Sequence, residues 1–465
     1  MNGFDAINVP SCGLDVHKEK IDACVIGRDG QAHHKVFDTM RASLHALRDW
    51  VLSLNCLHVL MESTGVYWIP IFELLEEVAG MDVGVGNSRA MKNVPGRPKR
   101  DKDDAGWVAK LCMFGLVLKS FVVGRKFREL REYTRYHKKL VQERARQANR
   151  IEKLLQMNGF KLSSVLSDIT GASGRRLLAK LLEKGSVTVS DVQESLDRRV
   201  KRPAEEIERA INATMKRTSR LLLGRMLKRL ETCEREIAEI YAMMAEMSRE
   251  HEPQVRIIES IPGLGRLSAI YIIAEISTEL SAFETKNHIA AWAGLAPKDN
   301  ESAGKLKPSR TKKANVYIKS ILAECAWAAT RARGTRLSNW YWRNEKRLGA
   351  KKAVTAVARK LLVYIYTMLK NGELYDGSLD VADTERHKAQ KLESARKIVE
   401  RQPYNPNIKK HRNDTAQDIF CDEPAKTRHV ENDGVPMILE QFTEIISDSP
   451  KRKEDDRARM PVPIV

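Results

Sequence analysis

The chain has 465 residues, 42% hydrophobic and 30% charged, and a formal net charge of +19. This composition supports two or three globular domains with ample core and argues against a disordered or membrane-embedded chain. From Asp376 onward 18 acidic residues nearly balance 16 basic ones, so the body before it carries about +21 and calls for a polyanionic partner, most simply nucleic acid. The seven cysteines (12, 24, 56, 112, 233, 325 and 421) form no CxxC pair, which argues against a zinc site or a disulfide framework and fits a reduced cytoplasm. The N-terminus shows no apolar signal region, and no segment reaches 18 uninterrupted apolar residues, so membrane insertion is not expected.

The first region alternates strand and helix signals. "CGLDVHK", "IDACVIG" and "AHHKVF" read as strands, the last two joined by the turn "GRDGQ". "RASLHALRDWVLSL" has helical periodicity, "HVLMES" is a short strand ending in an acid, and "YWIPIFELLEEVAG" is helical up to Gly80. "MDVGVGN" follows as a strand and "DDAGWVAKLCMFG" as a helix. The order β-β-β-α-β-α-β-α predicts a mixed sheet with flanking helices, ending near residue 120.

Residues 125–150 hold ten basic and three acidic residues in a helical pattern, interleaved with tyrosines and a histidine. One long basic helix is predicted, with Arg131, Arg135, Lys138 and Arg146 as nucleic-acid contacts. After the break "SDITGASGRR", a second long helix is expected from about Pro203 to Glu250. Leu223, Met226, Leu230, Cys233, Ile237, Ile240, Met244 and Met247 make a heptad seam on it. That seam serves a coiled coil between protomers, a pairing with the basic helix, or the core of a helical bundle. A third region opens at "IIESIPGLGRLSAIYIIAEI" and continues with the basic loop "KDNESAGKLKPSRTKKA" and two strong helices. From residue 378 to 465 the chain reads as a charged tail, largely disordered, with weak helix near 384–400.

"RDKDDAGWVAKL" gathers acid in a basic chain, directly after the basic run "GRPKR". Asp101 and Asp104 are three apart and share a helix face, whereas Asp103 points elsewhere. Asp15 lies in the first predicted strand and Glu62 ends the fourth. In a sheet of this order the first and fourth strands are commonly neighbours, and a helix packed across their ends brings Asp15, Glu62, Asp101 and Asp104 together. Four carboxylates at close range need a cation to stay ionised. Two Mg²⁺ ions about 4 Å apart, or Mn²⁺ in their place, suit these hard oxygen ligands and phosphoryl chemistry. Arg97, Lys99 and Arg100 would hold the phosphate backbone beside them. "IPGLG" offers Gly263 and Gly265 for close backbone approach to a phosphate, or simply turns between two helices. In the later basic loop Ser302 reads as a phosphate-contacting serine, among Lys305, Lys307, Arg310, Lys312 and Lys313.

These motifs together resemble the DEDD-type insertion-sequence transposases, the bridge-RNA-guided recombinases. "GLDVHK", "MESTGVYW" and the D-x-x-D-A of "RDKDDAGWVAKL" are similar to that family's RuvC-like domain. "IPGLGRLSAIYIIAEI", "AAWAGLAPKDNESAGK" and "ANVYIKSILAECAWAATRARGT" are similar to its C-terminal transposase domain. The resemblance covers roughly residues 10–375. It implies a ribonuclease-H-like (RuvC-like) α/β domain at 10–120, a helical coiled-coil region at 121–250, and a mainly α transposase domain at 251–377. It also implies that Asp15, Glu62, Asp101 and Asp104 form the metal tetrad and that Ser302 is a nucleophile forming a transient phosphoserine link to DNA. The implied partners are donor and target DNA, a structured bridge RNA and further protomers in a dimer or tetramer, with the acids of one protomer serving the serine of another. A cytoplasmic, nucleoid-associated protein of a bacterium or archaeon is implied as well. The enzymatic rival is a hydrolytic RuvC-like nuclease or junction resolvase, in which water attacks and Ser302 only contacts phosphate.

Overall fold

The computed structural model describes residues 5–62, 65–96, 104–297, 301–302, 305–306, 311 and 314–401. The chain folds as two compact units, Met1–Arg128 and Glu129–Val465.

In the first unit, β1 (Ser11–Val16), β2 (Lys20–Ile26), β3 (Ala32–Asp38), β4 (His58–Glu62) and β5 (Asp82–Gly86) form one sheet in the order β3-β2-β1-β4-β5. The first three strands pair antiparallel as a meander, while β4 lies parallel to both β1 and β5. The predicted neighbourhood of the first and fourth strands is therefore present, with Leu14 opposite Met61. All six residues of β1 are buried, because both faces of the sheet are covered. Alternation along the strands divides the covering. Cys12, Leu14, Val16, Val59 and Met61 pack with Leu44, Leu47 and Val51 of α1 (Arg41–Ser53) and Ile71, Phe72 and Leu75 of α2 (Trp68–Glu76). Leu60 packs on the other face, with Trp107, Val108 and Leu111. A short α3 (Ser88–Asn93), absent from the predicted order, is capped by Asn87, whose side chain accepts from the N–H groups of Arg89 and Ala90. Next comes α4 (Asp104–Met113), the helix on that second face.

Gly13 sets how closely α4 can lie. A Cβ there would come within 2.1 Å of the Ala109 nitrogen and 2.3 Å of the Ala105 carbonyl oxygen. Helix backbone thus rests directly on strand backbone, and the Ser11 hydroxyl donates to the Ala109 carbonyl at 3.1 Å.

The basic helix is α5 (Arg125–Met157), and residues 129–157 of it belong to the second unit. There α6 (Leu162–Val165), α7 (Ala172–Lys184), α8 (Val189–Ser195), α9 (Ala204–Ile211) and α10 (Arg217–Met247) enclose one apolar core. Leu223 and Leu230 of α10 enter it beside Leu177, Leu178 and Leu181. The single helix expected from Pro203 to Glu250 is instead broken at residues 212–216. Asn212 ends α9, the Met215 N–H donates to the Gly185 carbonyl at 2.8 Å, and the Met215 side chain is buried in that core. Tertiary burial of one residue here overrides helical continuity. Along the expected seam, Leu223, Leu230, Cys233 and Met244 are buried, while Arg229–Glu143 (2.6 Å) and Arg144–Glu234 (2.9 Å) tie α10 to α5.

The C-terminal half continues through α11 (Glu252–Glu259), α12 (Arg266–Ile276) and α13 (Lys286–Trp292). A two-residue hairpin, β6 (Glu301–Ser302) and β7 (Lys305–Leu306), precedes α14 (Val316–Arg331), α15 (Arg336–Leu348), α16 (Ala350–Asn371) and α17 (Ser378–Arg401). Every residue of α12 from Ala269 to Ile276 is buried, the stretch being apolar but for Tyr271 and Glu275. The start of the expected tail is part of this unit. Asp380 of α17 is buried, accepting from the Arg336 N–H at 2.8 Å and the Tyr375 hydroxyl at 2.7 Å. The helix expected near 384–400 lies within α17, which starts earlier, at Ser378.

Replacing Gly13 by Ala is expected to lower stability by about 1–3 kcal/mol through forced separation of α4 from β1. Gly124→Ala, where an added Cβ meets nothing within 4 Å, serves as the neutral control, both read as denaturant midpoints.

Candidate metal centre

Residues 11, 13 and 15 of β1 share one face of the sheet, and residues 58, 60 and 62 of β4 share the same face, because side chains alternate with period two. Gly13 and Leu60 put that face against α4. Asp15 and Glu62 stand one step past the Leu14–Met61 pair, at the end of the parallel ladder, and both are buried. Asp104 opens α4 one residue before Ala105, which touches Gly13. Three of the four predicted acids are therefore gathered by one strand pair and one helix start. Glu62 and Asp104 line a single small pocket with Met91, Lys92, Trp107 and Val108. Lys92 Nζ lies 3.9 Å from Glu62 Oε1. Asp101 lies outside the described residues, as do Arg97, Lys99 and Arg100.

Burial lifts the Asp15 carboxyl above its ordinary pKa; His17 pulls it down, and the neighbouring Glu62 and Asp104 push it up. The His17 Nε2 atom is 3.0 Å from Asp15 Oδ2. Asp22 faces Asp15 across the β1–β2 ladder, and Asp15, His17 and Asp22 each offer a ligand atom within 4.8 Å of the others. Sequence reasoning passed over His17 and Asp22, although the cue was present: two acids placed symmetrically about a tight turn pair across a hairpin. Buried carboxylates pressed together with one imidazole suit a divalent cation, which would stabilise the charged forms that burial disfavours. The residues present thus fit such an ion.

The remaining expected contacts divide in three. Arg131, Arg135 and Lys138 are half-buried and engaged by acids within the second unit. Arg135 holds the buried Glu275 carboxylate with two parallel bonds of 3.0 and 3.1 Å, and stacks over the Tyr317 ring at 4.3 Å. Arg131 lies 3.2 Å from the same carboxylate and donates to the carbonyls of Ala274 and Glu275. Lys138 meets the Ser320 hydroxyl and, at 3.6 Å, Glu324. Charge density alone did not distinguish a solvated basic face from one buried against acids. Arg146 is exposed.

Gly263 has φ +89° and a Cβ there would reach 2.8 Å from the Ala329 nitrogen, so packing of the α11–α12 turn on α14 accounts for it without a phosphate. Gly265 caps α12 and has open space around it. In the hairpin Ser302 pairs with Lys305. Pro297 bridges Thr311 beyond it, and Lys319 Nζ donates to the Thr311 hydroxyl at 2.7 Å. Lys307, Arg310, Lys312 and Lys313 lie outside the described residues.

A mixed five-stranded sheet with acids at the ends of its central parallel pair is compatible with a ribonuclease-H-like DEDD domain. Comparison with known families agrees with this class. A transposase model of the IS110 DEDD type matches residues 12–158, and the model "Transposase IS116/IS110/IS902 family" matches residues 255–342. The chain belongs to the IS110-type DEDD transposases. Among its relatives is the insertion element IS900 uncharacterized 42 kDa protein of Mycobacterium paratuberculosis, 29% identical over 160 residues, 33% of this chain and 39% of that protein. A putative transposase, y4pF/y4sB, of Sinorhizobium fredii (strain NBRC 101917 / NGR234) is 28% identical over 137 residues, covering 28% of this chain and 35% of the relative. The aligned stretch therefore spans under two fifths of each relative. No helix among the described residues is long and apolar enough to cross a membrane.

Two measurements follow from these contacts. The folded Asp15 pKa lies above its unfolded value, so ionisation opposes folding; the penalty is absent in acid below the unfolded pKa, grows as pH rises through the two values, and is complete above them. Metal-free Asp15→Asn is thus expected to melt higher than wild type at neutral pH, with the gain vanishing in acid, and added Mg²⁺ should raise the melting temperature of wild type only. Glu275→Ala leaves Arg131 and Arg135 without their carboxylate and is expected to cost about 3 kcal/mol in a denaturant titration, whereas Arg146→Ala should be neutral.

Proposed function

We propose that this protein is a DNA transposase, a recombinase that cuts and exchanges the strands of an insertion sequence. The observation that carries the reading is the meeting of Asp15, Glu62 and Asp104 on one sheet face of a strongly basic chain matched by two transposase models. In this reading Asp15, Glu62 and Asp104, joined by Asp101, hold Mg²⁺ or Mn²⁺. When bound, the ions supply Lewis-acid polarisation of a DNA phosphate and offset its charge. Lys92, beside Glu62, adds a cation for the adjoining backbone phosphate.

Ser302 is the proposed nucleophile. Its hydroxyl gives up a proton, the Oγ–P bond forms, and the bond from phosphorus to one deoxyribose oxygen breaks, leaving that oxygen as a hydroxyl after protonation. The energy of the cleaved diester is kept in the serine diester, so a second DNA hydroxyl can reverse the step on a new strand. Lys305, opposite Ser302 in the hairpin, with Lys307 and Arg310, provides charge near the attacked phosphate. A bridge RNA that pairs with donor and target DNA, and assembly of several protomers, belong to the same proposal and rest on the family resemblance.

The test combines the full chain with the RNA flanking its element, donor and target DNA and Mg²⁺, followed by a denaturing gel. Protein covalently attached to DNA is expected with wild type and absent with Ser302→Ala. Asp104→Ala should lower both cleavage and adduct by about a thousandfold while retaining RNA. Cleaved DNA without adduct, unchanged in Ser302→Ala, would establish the hydrolytic nuclease instead.

A further inference from the structure

A cavity on the second unit lies away from the serine hairpin in sequence, along α15 and α17. It has a volume of about 420 Å³ and is lined by Arg333, Ser338, Asn339, Trp342, Arg343 and Lys391. Trp342 is 48% exposed, unusual for so large an apolar ring. Its position is nevertheless held: the indole N–H donates to the Thr330 carbonyl at 3.2 Å, and the Tyr341 ring meets it edge-on at 5.1 Å. The polar edge is thus used internally, while the half-exposed ring, with the Arg333 guanidinium over one face, lines the cavity. The Arg333 guanidinium stands 4.3 Å from the ring centroid. Arg343 is paired with Asp383 at 2.8 Å, which sets its direction, and Lys391 is exposed on α17. The named lining carries three cations and no acid.

We propose that this cavity binds an unpaired nucleotide of a single-stranded nucleic acid, the base stacking on Trp342 and the phosphates meeting Arg343 and Lys391. A fixed aromatic face beside guanidinium and ammonium groups matches a planar ring joined to phosphate, and stacking accepts any base because each has a π-face. A duplex hides its base faces in its own stack, so the site selects unpaired strands. The volume falls within the range of small-ligand pockets. An acidic peptide would satisfy the cations but present nothing flat to the indole. RNA and DNA share the chemistry recognised here. The inference deepens the nucleic-acid reading above, yet it is tested by binding without Mg²⁺ and so stands or falls apart from strand cleavage.

The experiment uses the full chain and oligonucleotides of about 12 residues containing 5-iodouracil, as RNA and as DNA, with duplex DNA of equal charge and polyglutamate as competitors. After ultraviolet cross-linking, the modified peptide is mapped by mass spectrometry and affinity is read by fluorescence anisotropy. The cross-link is expected on Trp342, lost in Trp342→Ala with about a tenfold drop in single-strand affinity at that site, and largely kept in Trp342→Phe. Lys391→Glu should weaken the same cross-link without touching the indole, which preserves the test if Trp342→Ala fails to fold. Stronger labelling by RNA than DNA, or the reverse, identifies the source of the strand. Cross-links mapping only elsewhere, competition by duplex or polyglutamate equal to that of single strands, or unchanged labelling in both Trp342→Ala and Lys391→Glu would overturn the proposal.

Discussion

The arrangement of the first unit depends on a missing side chain. Because Gly13 has no Cβ, the backbone of α4 lies against the backbone of β1 instead of being held off by a side-chain layer. That contact carries the start of α4, and with it Asp104, toward the strand ends where Asp15 and Glu62 emerge. Both acids are buried by the same approach, since the helix that brings the third carboxylate also excludes water from the first two. Packing and electrostatics are consequently coupled: the closeness that buries Asp15 also disfavours its ionised form.

The second unit handles its charges differently. A buried carboxylate, Glu275, is met by two guanidiniums from α5 and by the Asn315 amide at 2.6 Å. Here opposite charges neutralise one another, whereas in the first unit the carboxylates of Asp15, Glu62 and Asp104 crowd one another. The contrast explains how a chain with 80 basic residues can shelter a cluster of acids: part of its basic charge is spent internally, and the cluster lies where sheet and helix shield it.

Much of this organisation was legible in the residues. The element order sufficed to expect β1 beside β4, with Asp15 and Glu62 at the ends of the pair, because the first and fourth strands of such a sheet are commonly neighbours. What escaped were facts decided by distant partners. The break at residues 212–216 follows from Met215 finding a place in a remote core, and no local propensity announces that. Arg131, Arg135 and Lys138 carry the composition of a nucleic-acid helix, and only the position of Glu275 and Glu324 shows where they turn. Asp380 looks like a tail residue until Arg336 and Tyr375 are seen to bind it. His17 and Asp22 escaped because attention to spaced acids ignored the hairpin partner.

The Asn315 amide has a second engagement. Its side-chain oxygen accepts from the Tyr317 and Ile318 N–H groups, capping α14, while its nitrogen binds Glu275. With the Pro297–Thr311 bridge and the Lys319–Thr311 bond, the base of the serine segment is stapled on both sides. The entropy of closing that segment is therefore met by the scaffold, and its cost grows only logarithmically with the length spanned. A longer or shorter tip would leave these anchoring contacts, and the helices that make them, in place.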